Sequence, residues 1–499
     1  MDKVYTCAAM RAADEYTIEK LNVPSSTLME RAGKAIADAA EERLKNAGGK
    51  SVLSVCGGGN NGGDGFCAAR LLSERGYEAE VYCIAERFSK DCLEQKEKFK
   101  GTVLTQVPDK KYDVVIDALC GTGFSGEPNE KLAKQIDIVN TFGKYVVSAD
   151  IPSGLNGDTG EYIKCVKADE TVAIGELKSG HFLAGGQEMC GKVNRQDIGI
   201  DIKGQKTDAV IYGLAELKDC FPFRKKESNK GDYGRASVLA GSLTYSGAPF
   251  LTAGAALRCG CGYVRLAVPE ELFPYCVGKI PEVILTLAPS SGGFLKYDED
   301  FLKMLAKASD AIAFGMGCGT GKDIYESICF LLKEFEGVLI LDADALGALA
   351  KFGTKVLKEK NCKVILTPHM KEFSRLTGKS VDLIRATGTQ AAREFAAEYD
   401  VTVLLKNNVS VISDGTKTAL NTEGTPALAK GGSGDVLSGI ICSLAARGVT
   451  PFMSAVCGAY LLGNAGIRAE QKSSEYSVIA TDVIECLSEA IRKLQEYNS

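Results

Sequence analysis

Residues 51–76 read SVLSVCGGGNNGGDGFCAARLLSERG, which is a β-branched run, a glycine-rich segment and a helical pattern in succession. The pattern predicts a strand, a loop and a helix that begins near Phe66. A glycine-rich loop between a strand and a helix exposes backbone N–H groups and the positive end of the helix dipole. The segment therefore predicts a site for a phosphate or another anion.

The same loop admits two other interpretations. Residues 57–62 satisfy the pattern GxGxxG, and Glu86 ends the next strand, as a dinucleotide oxidoreductase would require. A tight turn that needs glycine for a positive φ would give the same pattern. Asn60, Asn61 and Asp64 add polar side chains that a bare turn does not need, which favours a binding site.

Working outward from this segment, short strand-like runs alternate with helical patterns through the first half of the chain. A helix opened by Pro24 and a capping box from Thr27 to Glu30 precedes the series. The alternation predicts a parallel sheet with helices on both faces, a Rossmann-like three-layer α/β fold. The polar stretch 221–234 then separates a second α/β series. We expect two domains: one covers residues 1–218 and the other covers residues 224–499.

Composition narrows the class of function. The chain has 499 residues, a net charge of −5 and no long basic run, which argues against nucleic acid as the main partner. No apolar run approaches the ~18 residues that cross a bilayer, and no signal-peptide pattern opens the chain. We expect a cytoplasmic protein with small-molecule substrates. Eighteen cysteines scattered through apolar patterns predict reduced, buried thiols, and only two histidines leave acid-base chemistry largely to carboxylates.

Two further strand ends reach the same edge of the predicted sheet. The first supplies Asp117 and a second glycine-rich loop, and the next supplies Asp150 and Ser153. Ligands of an open parallel sheet bind beyond the carboxyl ends of its strands. The three loops together predict a binding crevice.

The motifs NNGGDG, DALCGTG and ADIPSG, in this order, resemble the NAD(P)H-hydrate epimerases, and the resemblance covers residues 5–210. It implies that Asp150 is the acid-base residue, although a carboxylate at a strand end also caps turns. It also implies that Asn61, Asp117 and Ser153 supply oxygens to a potassium ion. The substrate-binding residues it implies are Asn60, Asn61, Gly62, Gly63, Asp64, Gly121, Thr122, Gly123, Phe124, Ser125, Gly126, Glu127 and Asp150. One departure is Arg31, where the family usually has asparagine.

In the second half, Gly431-Gly432-Ser433-Gly434-Asp435 stands before a helical pattern. Successive N–H groups at a helix N-terminus form an anion hole, and a carboxylate in the first turn can take a proton from an attacking hydroxyl. These are the elements of phosphoryl transfer by positioning and electrostatics. The alternative is that Asp435 only stabilises the helix dipole. No Walker A motif offers an alternative phosphate-binding site, because residues 315–323 do not have the spacing of that motif.

Around this segment, GSLTYSGA, GMGCG, DADAL, TPH and Lys406 resemble the ribokinase-like ADP-dependent NAD(P)H-hydrate dehydratases over residues 225–495. The resemblance implies a ribokinase-like α/β fold, Asp435 as the catalytic base, Mg²⁺ and ADP as phosphate donor. It implies substrate contacts from Ala248, Gly317, His369 and Asp435. It implies nucleotide contacts from Lys406, Asn407, Asn408, Val409, Ser410 and Gly434.

Several residues depart from the dehydratase pattern or keep a structural alternative. Met316, Met370, Lys371 and Asn407 stand where the family has other residues. His369 could equally be a structural imidazole at a strand end. Asp342 and Asp344 could reach magnesium through water, but acidic residues after a strand are also common turn formers, so we do not assign them as ligands.

Together the two resemblances predict a bifunctional NAD(P)H-hydrate repair enzyme. The first domain would interconvert the R and S forms of hydrated NADH and NADPH, known as NADHX and NADPHX. The second would convert the S form and ADP to NAD(P)H, AMP and phosphate. We expect a homo-oligomer without nucleic-acid or membrane partners. The alternatives are a ribokinase-like sugar or vitamin kinase with an N-terminal nucleotide-binding module, and a non-catalytic first domain.

Overall fold

The computed structural model describes residues 1–497 and divides into two compact units. The first unit is Asp2–Ala209, and the second contains Met1 and the residues from Val210 onward. Both units are α/β, as predicted. No helix among residues 1–497 is long and apolar enough to cross a bilayer.

The first unit contains nine strands and six helices. The strands are β1 (Asp2–Tyr5), β2 (Ser51–Cys56), β3 (Glu78–Tyr82), β4 (Thr102–Leu104), β5 (Val114–Ala118), β6 (Val146–Ala149), β7 (Glu170–Ile174), β8 (Leu177–Lys178) and β9 (Lys192–Gln196). The helices are α1 (Cys7–Glu19), α2 (Ser25–Ala47), α3 (Asn60–Glu74), α4 (Lys90–Lys98), α5 (Glu130–Phe142) and α6 (Gly186–Met189).

Seven strands of this unit form a parallel sheet in the order β4-β3-β2-β5-β6-β7-β9, and β1 pairs with β8. Side chains alternate between the faces of each strand. Val52 of β2 therefore packs with α2 and α3 in one apolar cluster, whereas Leu53 packs with α5 in another. The sheet lies between two helix layers, which confirms the predicted three-layer fold.

Helix α3 begins at Asn60, so the prediction of a start near Phe66 is wrong. The glycines suggested a loop, but they serve close packing inside the helix. A Cβ atom at Gly62 would lie 2.0 Å from the carbonyl oxygen of Gly57, and one at Gly65 would lie 2.5 Å from the Ala118 Cβ. The whole NNGGDG motif therefore forms the first turns of α3.

The predicted capping box from Thr27 to Glu30 is also wrong. Helix α2 begins at Ser25 with Pro24 as its N-cap, and no side chain caps it. Glu30 instead accepts hydrogen bonds from Arg70 of α3 at 2.6 Å and from Gln95 of α4 at 2.9 Å. The acidic side chain is used to join three helices rather than to cap one.

The second unit contains the remaining strands and helices. The strands are β10 (Ala209–Ile211), β11 (Arg235–Leu239), β12 (Tyr263–Pro269), β13 (Ile284–Ala288), β14 (Ser290–Ser291), β15 (Phe294–Leu295), β16 (Ala311–Phe314), β17 (Val338–Leu341), β18 (Lys363–Leu366), β19 (Thr402–Leu405), β20 (Ser410–Ser413) and β21 (Thr418–Asn421). The helices are α7 (Leu214–Leu217), α8 (Ala248–Arg258), α9 (Phe273–Cys276), α10 (Glu299–Lys307), α11 (Lys322–Glu334), α12 (Asp344–Phe352), α13 (Met370–Thr377), α14 (Val381–Ala386), α15 (Gly388–Tyr399), α16 (Ser433–Ala446), α17 (Pro451–Lys472) and α18 (Ala480–Glu496).

The main sheet of this unit runs β13-β12-β11-β16-β17-β18-β19-β20-β21, and Val210 of β10 pairs with Ala419 of β21. Only β20 is antiparallel to its neighbours. Helices α8, α16, α17 and α18 contribute to one large apolar cluster with residues of the sheet. Because β16, β17 and β18 are parallel neighbours, the loops that follow them meet at one edge.

All eighteen cysteines are free thiols, eight in the first unit and ten in the second. Sixteen are buried, and Cys120 and Cys329 are partly exposed. The prediction of buried thiols is confirmed for these sixteen, and their reduced state stays a prediction.

Candidate active sites

The first unit contains a cavity of about 160 Å³ beyond the carboxyl ends of its strands. Four of the thirteen predicted substrate-binding residues line it: Asn60, Asp64, Thr122 and Asp150. The glycines at 62 and 63 lie buried inside α3, and the predicted residues 121–127 form a more exposed loop after β5. Apolar side chains, including Met10, Leu28 and Met29, complete much of the wall.

Asp150 follows β6 with a φ of +66°, a backbone conformation that side-chain-bearing residues rarely adopt. Its carboxylate accepts a hydrogen bond from Ile174 N at 3.0 Å and contacts the ammonium group of Lys178. Lys178 also donates to the Ile174 carbonyl at 2.6 Å, and its side chain is only 2% exposed. A buried lysine therefore holds the predicted catalytic carboxylate in place.

Lys178 was missed as a site residue in the sequence. The signal was the segment KSGHFL at residues 178–183, which follows the apolar run of β7. A lysine buried this deeply needs an acidic partner, so its apolar context was a usable hint.

His181 supports Asp150 from the backbone side. Its Nδ1 accepts a hydrogen bond from Lys178 N at 3.2 Å, and its Nε2 lies 2.8 Å from the Asp150 carbonyl oxygen. Because Nδ1 accepts, Nε2 carries the proton and donates to that carbonyl. Burial, and after it the charge of Lys178, lowers the pKa of His181 to about 4, so the ring is neutral. It orients Asp150 and does not titrate near neutral pH.

The predicted potassium ligands also lie together. Asp117 is fully buried and accepts hydrogen bonds from Ser153 Oγ at 2.6 Å and from Ser148 Oγ at 2.9 Å. Ser153 contacts both the N–H and the carbonyl of Cys120, and the Asn61 amide lies within 3.4 Å of a Cβ built on Gly121. Burial raises the pKa of Asp117.

One terminal atom of the Asn61 amide is buried without a hydrogen-bond partner among residues 1–497. It is assigned as nitrogen, but amide oxygen and nitrogen exchange places when the group is turned over. With the oxygen in that position, Asn61 joins the carboxylate of Asp117 and the hydroxyl of Ser153 as an all-oxygen donor set. Such donors fit a hard cation.

Arg31 departs from the epimerase pattern but has a clear structural role. Its guanidinium group donates a 2.9 Å hydrogen bond to the Ile198 carbonyl. Ile198 and Ile200 line the cavity, so Arg31 holds the segment that forms one of its walls.

In the second unit, Asp435 lies in the first turn of α16, and Gly432 caps the helix with a φ of +95°. The Ser433 hydroxyl is buried without a partner among residues 1–497. Burial, followed by the charge of Asp342, raises the pKa of Asp435 to about 6, and Lys406 opposes this rise. Asp435 is therefore ionised at neutral pH but remains a usable base.

A buried polar network supports this helix start. Asp342 follows β17 and is 2% exposed; its carboxylate accepts from Lys406 Nζ at 2.8 Å and from Ser438 Oγ at 2.7 Å. A Cβ built on Gly434 would lie 3.5 Å from Lys406 Nζ. The sequence alone gives Asp342 no assigned role, and the structure identifies it as the partner of the predicted nucleotide-binding lysine.

Asp344 has a separate role. Its carboxylate accepts a 2.7 Å hydrogen bond from Gly319 N and so fixes the loop after β16. Gly315, Gly317 and Gly319 all have φ between +72° and +120°, and a Cβ on Gly317 would lie 2.5 Å from that of Tyr245. Met316 is fully buried between two of these glycines. The departure at Met316 therefore leaves the glycine backbone conformation in place.

His369 is a helix cap. Its Nδ1 accepts hydrogen bonds from Lys371 N at 3.1 Å and Glu372 N at 3.2 Å, and Glu372 in turn accepts from His369 N at 2.8 Å. The imidazole of His369 therefore has a structural role, which is one of the two roles expected from the sequence. Its side chain is also 50% exposed, and its Nε2 lies 3.5 Å from Glu372 Oε1. Met370 and Lys371 lie in the first turn of α13, directly after the capping residue His369.

The remaining predicted nucleotide contacts lie in a tight hairpin between β19 and β20. Asn407 and Asn408 are exposed, Val409 is buried, and Ser410 Oγ donates to the Asn407 carbonyl at 3.3 Å. Ala248 begins α8, whose residues pack against α16. No cluster of three or more acidic, histidine or cysteine side chains suited to a metal occurs among residues 1–497.

Comparison with protein families gives two matches. Residues 236–489 match the family described as NAD(P)H-hydrate dehydratase, and residues 25–180 match the family of YjeF-related protein N-termini. The matches fall in the second and first units, respectively.

Whole-length relatives and a solved structure extend these matches. The chain is 34% identical to the bifunctional NAD(P)H-hydrate repair enzyme of Thermofilum pendens, over 99% of this chain and 97% of the relative. It is 33% identical to the enzyme of the same name from Moorella thermoacetica, over 98% and 97%. The ADP/ATP-dependent NAD(P)H-hydrate dehydratase of Bacillus subtilis, co-crystallised with ATP and Mg²⁺, is 29% identical with a TM-score of 0.50, covering 57% of this chain and 99% of that one.

Proposed function

The chain belongs to the family of bifunctional NAD(P)H-hydrate repair enzymes, and we propose on this basis that it returns hydrated NADH and NADPH to their active forms. Residues 1–218 interconvert the R and S epimers at C6 of the hydrated nicotinamide. Residues 224–499 dehydrate the S epimer with ADP, which yields NAD(P)H, AMP and phosphate. The observation that carries this proposal is the pairing, in one chain, of two units that each match one half of the family.

In the first unit, Asp150 serves as an acid-base residue for the epimerisation. Its contacts with Lys178 and Ile174 N hold the carboxylate in a fixed position at the cavity wall, as a general base requires. The predicted residues Asn60 to Asp64 and Gly121 to Glu127 bind the substrate, since the helix start and the loop offer N–H groups to its phosphates.

The oxygens of Asn61, Asp117 and Ser153 would hold a potassium ion. A cation bound there would supply a positive charge to the substrate site. The protein's own part is to bury Asp117 and to fix Ser153 between that carboxylate and Cys120.

In the second unit, Asp435 takes the proton of the C6 hydroxyl while that oxygen attacks the donor phosphate. The N–H groups at the start of α16 stabilise the charge of the transferred phosphoryl group. The bond from C6 to the phosphate oxygen then breaks, because phosphate leaves with the bonding electron pair more readily than hydroxide does, and loss of a proton from C5 restores the C5–C6 double bond. Ala248, Gly317 and His369 hold the substrate beside Asp435.

The nucleotide contacts of this unit are proposed for Lys406 to Ser410 and for Gly434. We propose ADP as the donor, with Mg²⁺ held mainly by its phosphates, because Asp342 and Asp344 already bind protein groups. The repair function is favoured over both alternatives. These were an oxidoreductase, from the first glycine segment, and a sugar or vitamin kinase, from the second half. The homo-oligomer and the cytoplasmic location stay predictions.

The test follows absorbance at 340 nm when the full chain, hydrated NADH and ADP are mixed. Complete recovery of NADH from both epimers is expected, because epimerisation feeds the dehydration. Asp150→Asn should limit recovery to the S fraction plus slow spontaneous exchange, and Asp435→Asn should abolish recovery. A stable phosphorylated alcohol without recovery at 340 nm would instead support the kinase.

A further inference from the structure

Two carboxyl groups line the cavity of the first unit in opposite electrostatic settings. Asp150 contacts the ammonium group of Lys178 and accepts a hydrogen bond from Ile174 N. Asp64 projects from the second turn of α3, and its side chain has no ion pair or hydrogen bond among residues 1–497. The charges that act on it are the like charges of Asp150 and Asp14.

The carboxyl groups of Asp64 and Asp150 therefore differ in their electrostatic surroundings. Burial, together with the charges of Asp150 and Asp14, raises the pKa of Asp64 well above its usual range. The apolar side chains of Leu28 and Met29 in the same wall favour the neutral form for the same reason. A carboxyl group pushed towards its neutral form and a carboxylate held against a lysine therefore line one cavity. Two carboxyl groups in such different environments suit the roles of acid and base.

We propose that Asp64 is a second catalytic residue of the epimerisation: it donates a proton to the departing C6 hydroxyl, and Asp150 accepts the proton of the water that adds back. The inference rests on the proposed epimerase function and adds a chemical role to a residue so far expected only to bind substrate.

The step balances without an oxidant or a reductant. The proton of the Asp64 carboxyl group passes to the C6 oxygen, the C6–O bond breaks, and water leaves with the bonding electron pair. The lone pair of the ring nitrogen forms a C=N bond to C6. A water molecule then adds to the other face of C6, the C=N pair returns to nitrogen, and Asp150 takes the surplus proton. Exchange with solvent, or turnover in the opposite direction, returns both groups to their starting state.

The other charged groups near the cavity are less suited to this role. Asp14 and Asp91 also line it, but the like charges that act on Asp14 are those of Glu15 and Asp91 rather than Asp150. Lys178 is paired with Asp150, and the neutral His181 holds the Asp150 backbone. Arg11 is exposed and donates to the Thr122 carbonyl at 3.1 Å. Among these carboxyl groups, Asp64 is the one whose pKa is raised by the charge of Asp150.

The test compares Asp64→Asn with Asp14→Asn in the full chain, by following the equilibration of purified R-NADHX and S-NADHX by chromatography between pH 5 and 9. Asp64→Asn should lower kcat about 100- to 1000-fold with little change in KM. In the wild type, activity should fall as pH rises through the raised pKa of Asp64, because the acid loses its proton. Asp64→Asn should abolish this alkaline decline, Asp64→Glu should restore part of the rate, and Asp14→Asn should keep the alkaline decline.

A second measurement follows the oxygen atom. Epimerisation in H₂¹⁸O should place ¹⁸O at C6 of the product formed by the wild type. If the wild type does not equilibrate the epimers at all, the proposed epimerase function fails. If it does, but Asp64→Asn retains kcat, or Asp14→Asn causes the same loss, or no ¹⁸O enters the product, then the role given to Asp64 is overturned. Dehydration of S-NADHX by the same variants shows that the second unit is intact, and partial rescue by Asp64→Glu shows that the first unit is folded.

Discussion

Lys178 and Lys406 each pair with an aspartate at a candidate active site, but they act in different ways. In the first unit Lys178 pairs with Asp150 itself, whereas in the second unit Lys406 pairs with Asp342 and leaves Asp435 without a direct cation. The first arrangement holds the Asp150 carboxylate in place. In the second unit burial, followed by the charge of Asp342, raises the pKa of Asp435 to about 6, and Lys406 opposes this rise. A lysine–aspartate pair thus orients the catalytic carboxylate in one unit and adjusts the pKa of a neighbouring carboxylate in the other.

The largest expected effect comes from breaking the first pair. Lys178→Met should lower the free energy of unfolding of the first unit by about 3 to 5 kcal/mol, because it leaves a largely buried carboxylate without its counter-ion. Epimerisation should slow about 100-fold. Urea unfolding and the epimer assay measure the two effects.

Lys406→Met is the matched variant in the second unit. Its side chain is 21% exposed, against 2% for Lys178, so its loss of stability should be clearly smaller. Equal losses of stability in the two variants would contradict the distinction between Lys178, which holds Asp150 in place, and Lys406, which acts on Asp435 from its pair with Asp342.

The two histidines extend the comparison to acid stability. The pKa of His181 is about 4 in the folded protein and about 6.5 in an unfolded chain, so the unfolded state takes up a proton first as pH falls. The first unit should therefore lose about 2 kcal/mol of stability between pH 8 and pH 5 through this residue. His369, half exposed in the second unit, should contribute less.

Urea unfolding at both pH values checks this prediction. His181→Gln removes the titrating group and should flatten the dependence, although it also lowers stability at neutral pH. A first unit whose stability changes equally in the wild type and in His181→Gln would show that other groups cause the acid sensitivity.

A smaller effect is expected when the second network is altered. Asp435 acts as a base, so dehydration should slow as pH falls through about 6. Asp342→Asn removes a like charge and frees Lys406 to act on Asp435, and both changes lower the pKa of Asp435. The acidic decline of kcat should move down by about one pH unit. Ser438→Ala, which keeps both charges, is the control, and an unmoved decline in Asp342→Asn would exclude the coupling.

The smallest effect is expected at Arg31. Arg31→Ala removes one partly buried hydrogen bond to the Ile198 carbonyl, which is worth about 1 kcal/mol. KM of the epimerisation should rise a few-fold because Ile198 lines the cavity. Arg31→Lys keeps the charge but not the reach of the guanidinium group, so a normal KM in that variant would mean that charge alone matters.

Local patterns in the sequence were sufficient for the two α/β units and for the strand ends that hold Asp117 and Asp150. Each of these features depends on residues a few positions apart. The start of α3 was missed because glycines that allow close packing with Gly57 and Ala118 look, in a sequence, like a loop.

The charge networks were beyond the reach of the sequence for a related reason. Lys178 is 28 positions from Asp150, and Lys406 is 64 positions from Asp342. Only the packed fold decides which of many acidic residues each lysine meets. The family resemblance supplied Asp150, Lys406 and Asp435 as candidates, but it did not supply Lys178 or the pairing of Lys406 with Asp342.

The reactivity of the buried thiols reports where the protein unfolds. Burial raises the pKa of Cys190 in the first unit and Cys259 in the second to about 12, so both stay protonated and react slowly with alkylating reagents until the chain around them opens. Eight cysteines mark one unit and ten mark the other. A brief pulse of iodoacetamide at rising urea concentration, read by peptide mass, would show which half of the chain unfolds first without any added label.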